Sequence, residues 1–252
     1  MSIKIKSILQ NGSPNGVLCT SWLEKQNITR AEQTQYVRSG WLVRIVPGIY
    51  HLANAKPTLY GTLASMDEQE GLHYRIAASS ALELQGYTHY LSFGQRQAHI
   101  LTPSDKRLPK WIASYKWDMS VHEFSTKIFG GTTGVATIEQ DGMTVRVSSP
   151  ELAVMECLHL VPETYSLMDV YYLLESLTAL RASSVTQLLE QCRSVKVKRL
   201  FLYMAEKANH PWFKRLDLSN VTLGSGPRSF AKGGVSIAKY NIIIPKELAD
   251  YE

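Results

Sequence analysis

The tightest constraint on this chain lies in residues 29–50, where a polar helical stretch stops at a glycine and gives way at once to a hairpin. Thr29 and Glu32 have capping-box spacing, which starts a helix at Thr29. Gly40 ends it, because glycine tolerates the left-handed backbone at a helix end. From Trp41 the residues become β-branched and aromatic, and Pro47-Gly48 marks a turn between two short strands. Upstream, residues 2–11 alternate charged and apolar groups, and Asn11-Gly12-Ser13-Pro14-Asn15-Gly16 is a loop. Thr20 or Ser21 caps a short helix through Trp22, Leu23 and Lys25. Three helices and a ribbon in this order are the layout of a winged helix-turn-helix. So small a unit needs packing from elsewhere, and residues 57–71, with Leu59, Leu63 and Met66, supply a helix for it.

The rest of the chain groups its strands rather than alternating them with helices. A helix over residues 75–85 stops at Gly86. Strand-like segments follow at Gln97–Leu101, Trp111–Lys116, Val121–Phe124, Val135–Glu139 and Met143–Val147, the last two joined by an Asp141-Gly142 turn. Pro150 opens a helix over Glu151–Leu160, with further helices at Leu167–Leu180, Val185–Cys192 and Lys198–Ala208. The glycine-rich Gly224-Ser225-Gly226-Pro227, a Gly233-Gly234 turn and a strand at Tyr240–Ile244 close the chain. The expected fold is α+β: an N-terminal winged helix-turn-helix followed by a larger mixed α+β domain with grouped antiparallel strands and helices. The expected domains are a winged helix over 1–56, a helical linker over 57–73 and an α+β domain over 74–252.

Composition sets few further limits. With 252 residues the chain can bury a sizeable core, and its 44% hydrophobic and 19% charged residues exclude disorder and fibrous repeats. A net charge of +5 and a pI near 9.0 favour a polyanionic partner. Cys19, Cys157 and Cys192 lie far apart, without zinc-ligand spacing, and read as buried free thiols in a reducing compartment. The N-terminus has no secretory h-region, and no apolar run approaches the roughly 20 residues of a membrane span. The expectation is a cytoplasmic protein with no membrane partner.

The chemistry points to double-stranded DNA. On the helix after Thr29, Arg30, Gln33, Thr34 and Arg38 fall on one broad side, interrupted by Val37. Arginine offers guanine a two-donor fork, and glutamine can pair with adenine. Arg44 in the wing suits a phosphate, as do Lys25, Lys4 and Lys6. An ordinary solvated helix face explains the same charges. Catalytic motifs are lacking: there is no Gly-x-Ser-x-Gly, no phosphate-binding Gly-Lys-Ser/Thr loop and no His-Glu-x-x-His, and His122-Glu123 has no downstream Pro-Cys-x-x-Cys. No catalytic residue, metal ligand or cofactor is therefore assigned. Two features remain as anion or partner contacts: Arg228 beside the glycine-rich turn, and the basic pair Lys198 and Arg199. A tight turn and a solvated helix face are the plainer explanations.

Four stretches, in order along the chain, resemble the AbiEi family, the antitoxins and transcriptional regulators of type IV toxin–antitoxin systems. They are Gly40-Trp41-Leu42-Val43-Arg44-Ile45-Val46-Pro47-Gly48-Ile49-Tyr50; Ser80-Ala81-Leu82-Glu83-Leu84-Gln85-Gly86; Ser148-Ser149-Pro150-Glu151-Leu152-Ala153-Val154-Met155-Glu156; and Leu223-Gly224-Ser225-Gly226-Pro227-Arg228 with Lys239-Tyr240-Asn241 and Pro245. Pro47 stands where many members carry a basic residue, which weakens the wing tip as a contact and leaves Arg44. The resemblance implies a winged helix that binds inverted repeats in its own promoter and represses it. It also implies a C-terminal domain that neutralises a nucleotidyltransferase-like toxin, without requiring a stable complex. Two other readings stay open: a ligand-responsive transcription factor, and a C-terminal domain that enzymatically modifies the toxin.

Overall fold

The computed structural model describes residues 3–87 and 96–251. Their contacts divide into two compact units. The first comprises Met1–Ile76, Arg96–Ser125 and Thr137–Val147, and the second Ala77–Gln95, Thr126–Ala136 and Ser148–Glu252. These units do not follow chain order, because later strands return to the first unit.

The first unit opens with α1 (Ile3–Asn11), β1 (Leu18–Cys19), α2 (Thr20–Lys25), α3 (Arg30–Arg38), β2 (Leu42–Val46) and β3 (Ile49–Leu52). The strands form one antiparallel sheet in the order β1-β3-β2, with Leu18 opposite Tyr50 and Leu42 opposite Leu52. Helix, strand, two helices and a two-stranded wing make a winged helix-turn-helix. The α3 cap is as expected: Thr29 Oγ1 accepts the Glu32 N–H, and the Glu32 carboxylate accepts the Thr29 N–H at 2.8 Å. At the other end Gly40 has φ +75°, Trp41 N–H bonds Tyr36 O and Gly40 N–H bonds Val37 O, the paired closure of a Schellman motif. Ile5, Ile8, Leu23, Ile28, Tyr36, Leu42 and Leu52 form the small core.

The next helix, α4 (Leu59–Glu70), is buried continuously from Leu59 to Met66. The backbone before β1 lies directly on it. A Cβ at Gly61 would come within 2.1 Å of Asn15 O, so only glycine permits that approach. Ser65 Oγ then accepts the Val17 N–H at 3.1 Å, and the Gln69 amide accepts from Cys19 N–H and donates to Val17 O, both at 2.8 Å. A five-stranded sheet follows, made of β4 (Arg75–Ile76), β5 (Gln97–Leu101), β6 (Ser120–Phe124), β7 (Val135–Gln140) and β8 (Met143–Ser148), ordered β6-β5-β4-β8-β7. It is mixed: β4 runs parallel to β8 and β5 to β6, while β4 and β5 are antiparallel.

The second unit holds α5 (Ala78–Leu84), α7 (Pro150–His159), α8 (Leu167–Ser176), α9 (Ala182–Gln191), α10 (Val195–Lys207) and α11 (Lys246–Asp250). Pro150 sits in the first turn of α7, where its missing N–H costs nothing, and Ser149 caps it. α10 is buried without a break from Val197 to Ala205, including Lys198 and Arg199. A small sheet of β9 (Arg228–Ser229), β10 (Val235–Ile237) and β11 (Ile242–Ile244) has the order β10-β11-β9.

Three segments depart from the sequence reading. Residues 111–116, expected as a strand, lie mostly in α6 (Lys110–Ser114): Ile112 N–H bonds Pro109 O at 2.9 Å, and one helical turn buries Ile112 completely. Arg75 and Ile76 belong to β4 instead of the following helix, because Ile76 pairs with both Ile100 and Val147 in the sheet interior. Residues 238–240 form a 3₁₀ turn before the last strand, with Asn241 at φ +52°.

Candidate nucleic-acid interface

The exposed face of α3 follows from how its buried face is held. Tyr36 and Gln33 point inward. Gln33 is 1% exposed, and both ends of its amide are engaged: Oε1 accepts from Thr20 Oγ1 at 3.1 Å, and Nε2 donates to Ile28 O at 3.1 Å. A glutamine so committed joins the two helices of the motif and has nothing left for a base. The glutamine on the outer surface is Gln35, which the sequence reading passed over. One turn of helical bookkeeping would have found it, since Ala31, Gln35 and Arg38 share a face opposite Tyr36 and Gln33.

Arg30, Arg38, Arg44 and Lys25 are all exposed, and Thr34 is half-buried with its hydroxyl donating to Arg30 O at 3.0 Å. Arg30 Nε donates to Glu24 at 2.9 Å. So exposed a pair contributes little, and the Nη groups make no bond among the described residues. Arg44 lies over the Tyr50 ring at 5.8 Å, which fixes its stem at the base of the wing. Lys4 serves a different end: its ammonium meets Glu32 at 2.8 Å, tying α1 to the start of α3. That contact, with the Thr29 hydrogen bonds, holds the Glu32 carboxyl down to about 2. Lys6 remains exposed. Trp41 and Val43 stand out on the wing at 36% and 41% exposure.

The C-terminal basic residues are arranged differently. Arg199 is 2% exposed and donates to four carbonyls: Leu223 O at 2.8 Å, Gly226 O at 2.7 Å, Asn241 O at 3.0 Å and Gly224 O at 3.1 Å. The glycine-rich turn therefore presents oxygens to an internal cation, the reverse of an anion nest. Lys198 is also buried, its ammonium 3.4 Å from Thr222 Oγ1. Of the three residues expected as anion or partner contacts, Arg228 alone reaches the surface, at the outer strand of the small sheet.

Cys19, Cys157 and Cys192 are free and buried, and burial is the leading cause that raises each thiol. No helix among the described residues is long and apolar enough to cross a membrane.

A winged helix with exposed arginines on α3, joined to an α+β body, is the architecture of a transcriptional regulator. Two family models extend this to nearly the whole chain. The one described as transcriptional regulator, AbiEi antitoxin N-terminal domain, matches residues 1–93, and the one described as transcriptional regulator, AbiEi antitoxin, type IV TA system, matches residues 95–245. The chain belongs to the AbiEi antitoxin family. Among solved structures it is similar to the crystal structure of the RV2827C protein from Mycobacterium tuberculosis, at 18% identity and a TM-score of 0.64, over 95% of this chain and 89% of that one. That likeness is one of fold. No curated protein matches the chain.

Proposed function

We propose that the protein is the antitoxin of a type IV toxin–antitoxin pair and the repressor of its own operon. Residues 1–56 bind inverted repeats in the promoter, with α4, within 57–73, bracing them. α3 enters the major groove of double-stranded DNA, and the β2–β3 wing lies along the backbone. Arg38, Gln35 and Thr34 face base edges, arginine suiting guanine and glutamine adenine. Arg30, Lys25 and Arg44 take phosphates. Residues 74–252 neutralise a nucleotidyltransferase-like toxin, and a lasting complex with it is not required. Arg228 is the residue there that we assign to partner contact.

The observation that carries this reading is the outer face of α3, where Arg30, Gln35 and Arg38 are exposed beside the wing arginine while Gln33 is locked inside. It is tested with the full-length chain and a labelled duplex from upstream of its operon. The wild type should bind with an affinity that falls steeply with salt. Arg38→Ala should weaken binding while the variant still rescues growth when co-expressed with the toxin. Simultaneous loss of binding and rescue in a folded Arg38→Ala protein would argue against two separable activities.

A further inference from the structure

A cavity of about 350 Å³ opens in the first unit between the start of α2, the wing turn, the end of α4 and the start of α6. Met66, Leu72, Pro109 and Trp111 make its wall apolar, and Thr20, Ser21 and Glu70 make its lip polar. Its size is at the lower end of small-molecule pockets, and it is an open cleft with an apolar wall and a few convergent polar groups at its lip.

The lining carries one formal charge, Glu70. That carboxylate, exposed at the lip, receives a hydrogen bond from the Ser21 hydroxyl and lies near the Cys19 thiol, and no Lys, Arg or His pairs with it among the described residues. The thiol stays protonated, pushed up to about 12 by burial and then by Glu70 itself. A carboxylate served by a neutral donor alone, beside an indole and an apolar wall, is complementary to a cation with an apolar body.

The cavity also touches the reading head. Thr20 lines it and donates to Gln33 of α3, while Thr20 N–H bonds Gly48 O at the wing turn at 2.8 Å. A ligand that moves Thr20 therefore bears on both the recognition helix and the wing.

We propose that this cavity is an effector site for a small protonated arylalkylamine or alkylamine, and that its occupancy changes DNA binding by the head. The regulatory half rests on the DNA-binding function proposed above; the ligand half does not.

The test uses full-length protein, with 2-phenylethylamine as the probe and 2-phenylethanol as its neutral counterpart. Calorimetry without DNA should show saturable amine binding at neutral pH. The alcohol on wild type, and the amine on Glu70→Gln, should each bind at least about tenfold more weakly, the effect of losing one charged contact. Saturating amine should then shift operator affinity of the wild type and leave that of Glu70→Gln unmoved. Equal binding of amine and alcohol, or no saturable amine binding in the millimolar range, overturns the site without needing any variant. Amine binding with unchanged operator affinity overturns the regulation. Failure of the protein to bind operator at all is a separate result, which removes the DNA reading and leaves the amine measurement intact.

Discussion

The head and the C-terminal sheet use arginine in opposite ways. In the head, Arg30, Arg38 and Arg44 stand exposed on a surface shaped by α3 and the wing. In the second unit Arg199 is enclosed, with four backbone carbonyls around its guanidinium. Both look alike as basic residues in a sequence with a net charge of +5. The difference teaches that hydrogen-bond accounting decides a cation's role: a guanidinium whose donors are used internally shapes the fold, and one with idle donors is available to a partner.

The sharpest way to break this contrast is Arg199→Met. Removing the cation leaves several inward-facing carbonyls without a donor, and the loss should be on the order of 4 kcal/mol, read as a lower urea midpoint. A small change would mean that water or backbone shifts replace the guanidinium, and that Arg199 is no keystone.

A second buried polar group extends the contrast to the central sheet. His99 of β5 is 2% exposed and stacks on His122 at 5.4 Å. Burial, and then His122, lower it to about 4 from an ordinary 6.5. Between those values the unfolded chain binds a proton that the folded one refuses. Stability is therefore fully present above about pH 6.5 and declines as the pH falls towards 4, by about 3 kcal/mol in total. His99→Gln should flatten that slope in denaturant titrations run at successive pH values; an unchanged slope would place its origin elsewhere.

On the exposed side, Arg38→Ala should weaken operator binding about 10- to 100-fold without moving the urea midpoint. Arg44→Ala should act more uniformly across sequences and reduce the salt dependence by about one phosphate contact. The smallest effects separate the two glutamines. Gln33→Ala should lower stability by about 1–2 kcal/mol and keep sequence preference, whereas Gln35→Ala should relax preference at one adenine with stability unchanged. The opposite pattern would reverse the inside–outside assignment of α3.

How much of this was legible beforehand follows the range of the interactions. Thr29 and Glu32 are three residues apart, and Gly40 acts within one turn, so α3 and its limits could be read directly. The inward turn of Gln33 depends on Thr20 and on Ile28 O, and nothing in its own surroundings distinguishes it from Gln35. Arg199 is explained by carbonyls between 24 and 42 residues away. β1, β4 and β9 have two residues each, too short for any periodicity, and exist because neighbouring strands complete them. In α6 the aromatic residues around Ile112 suggest a strand, and the Pro109 carbonyl instead starts a single helical turn.

The central claim is that the outer face of α3 reads DNA. Its most direct measurement is the anisotropy-detected affinity of the full-length chain for its own upstream duplex across a salt series, comparing wild type, the Arg30→Ala/Arg38→Ala double variant, and Arg228→Ala. The account predicts steep salt dependence for wild type, near-complete loss of specific binding in the double variant, and no change for Arg228→Ala. Specific binding that survives in the folded double variant, or that is lost in Arg228→Ala, would contradict it.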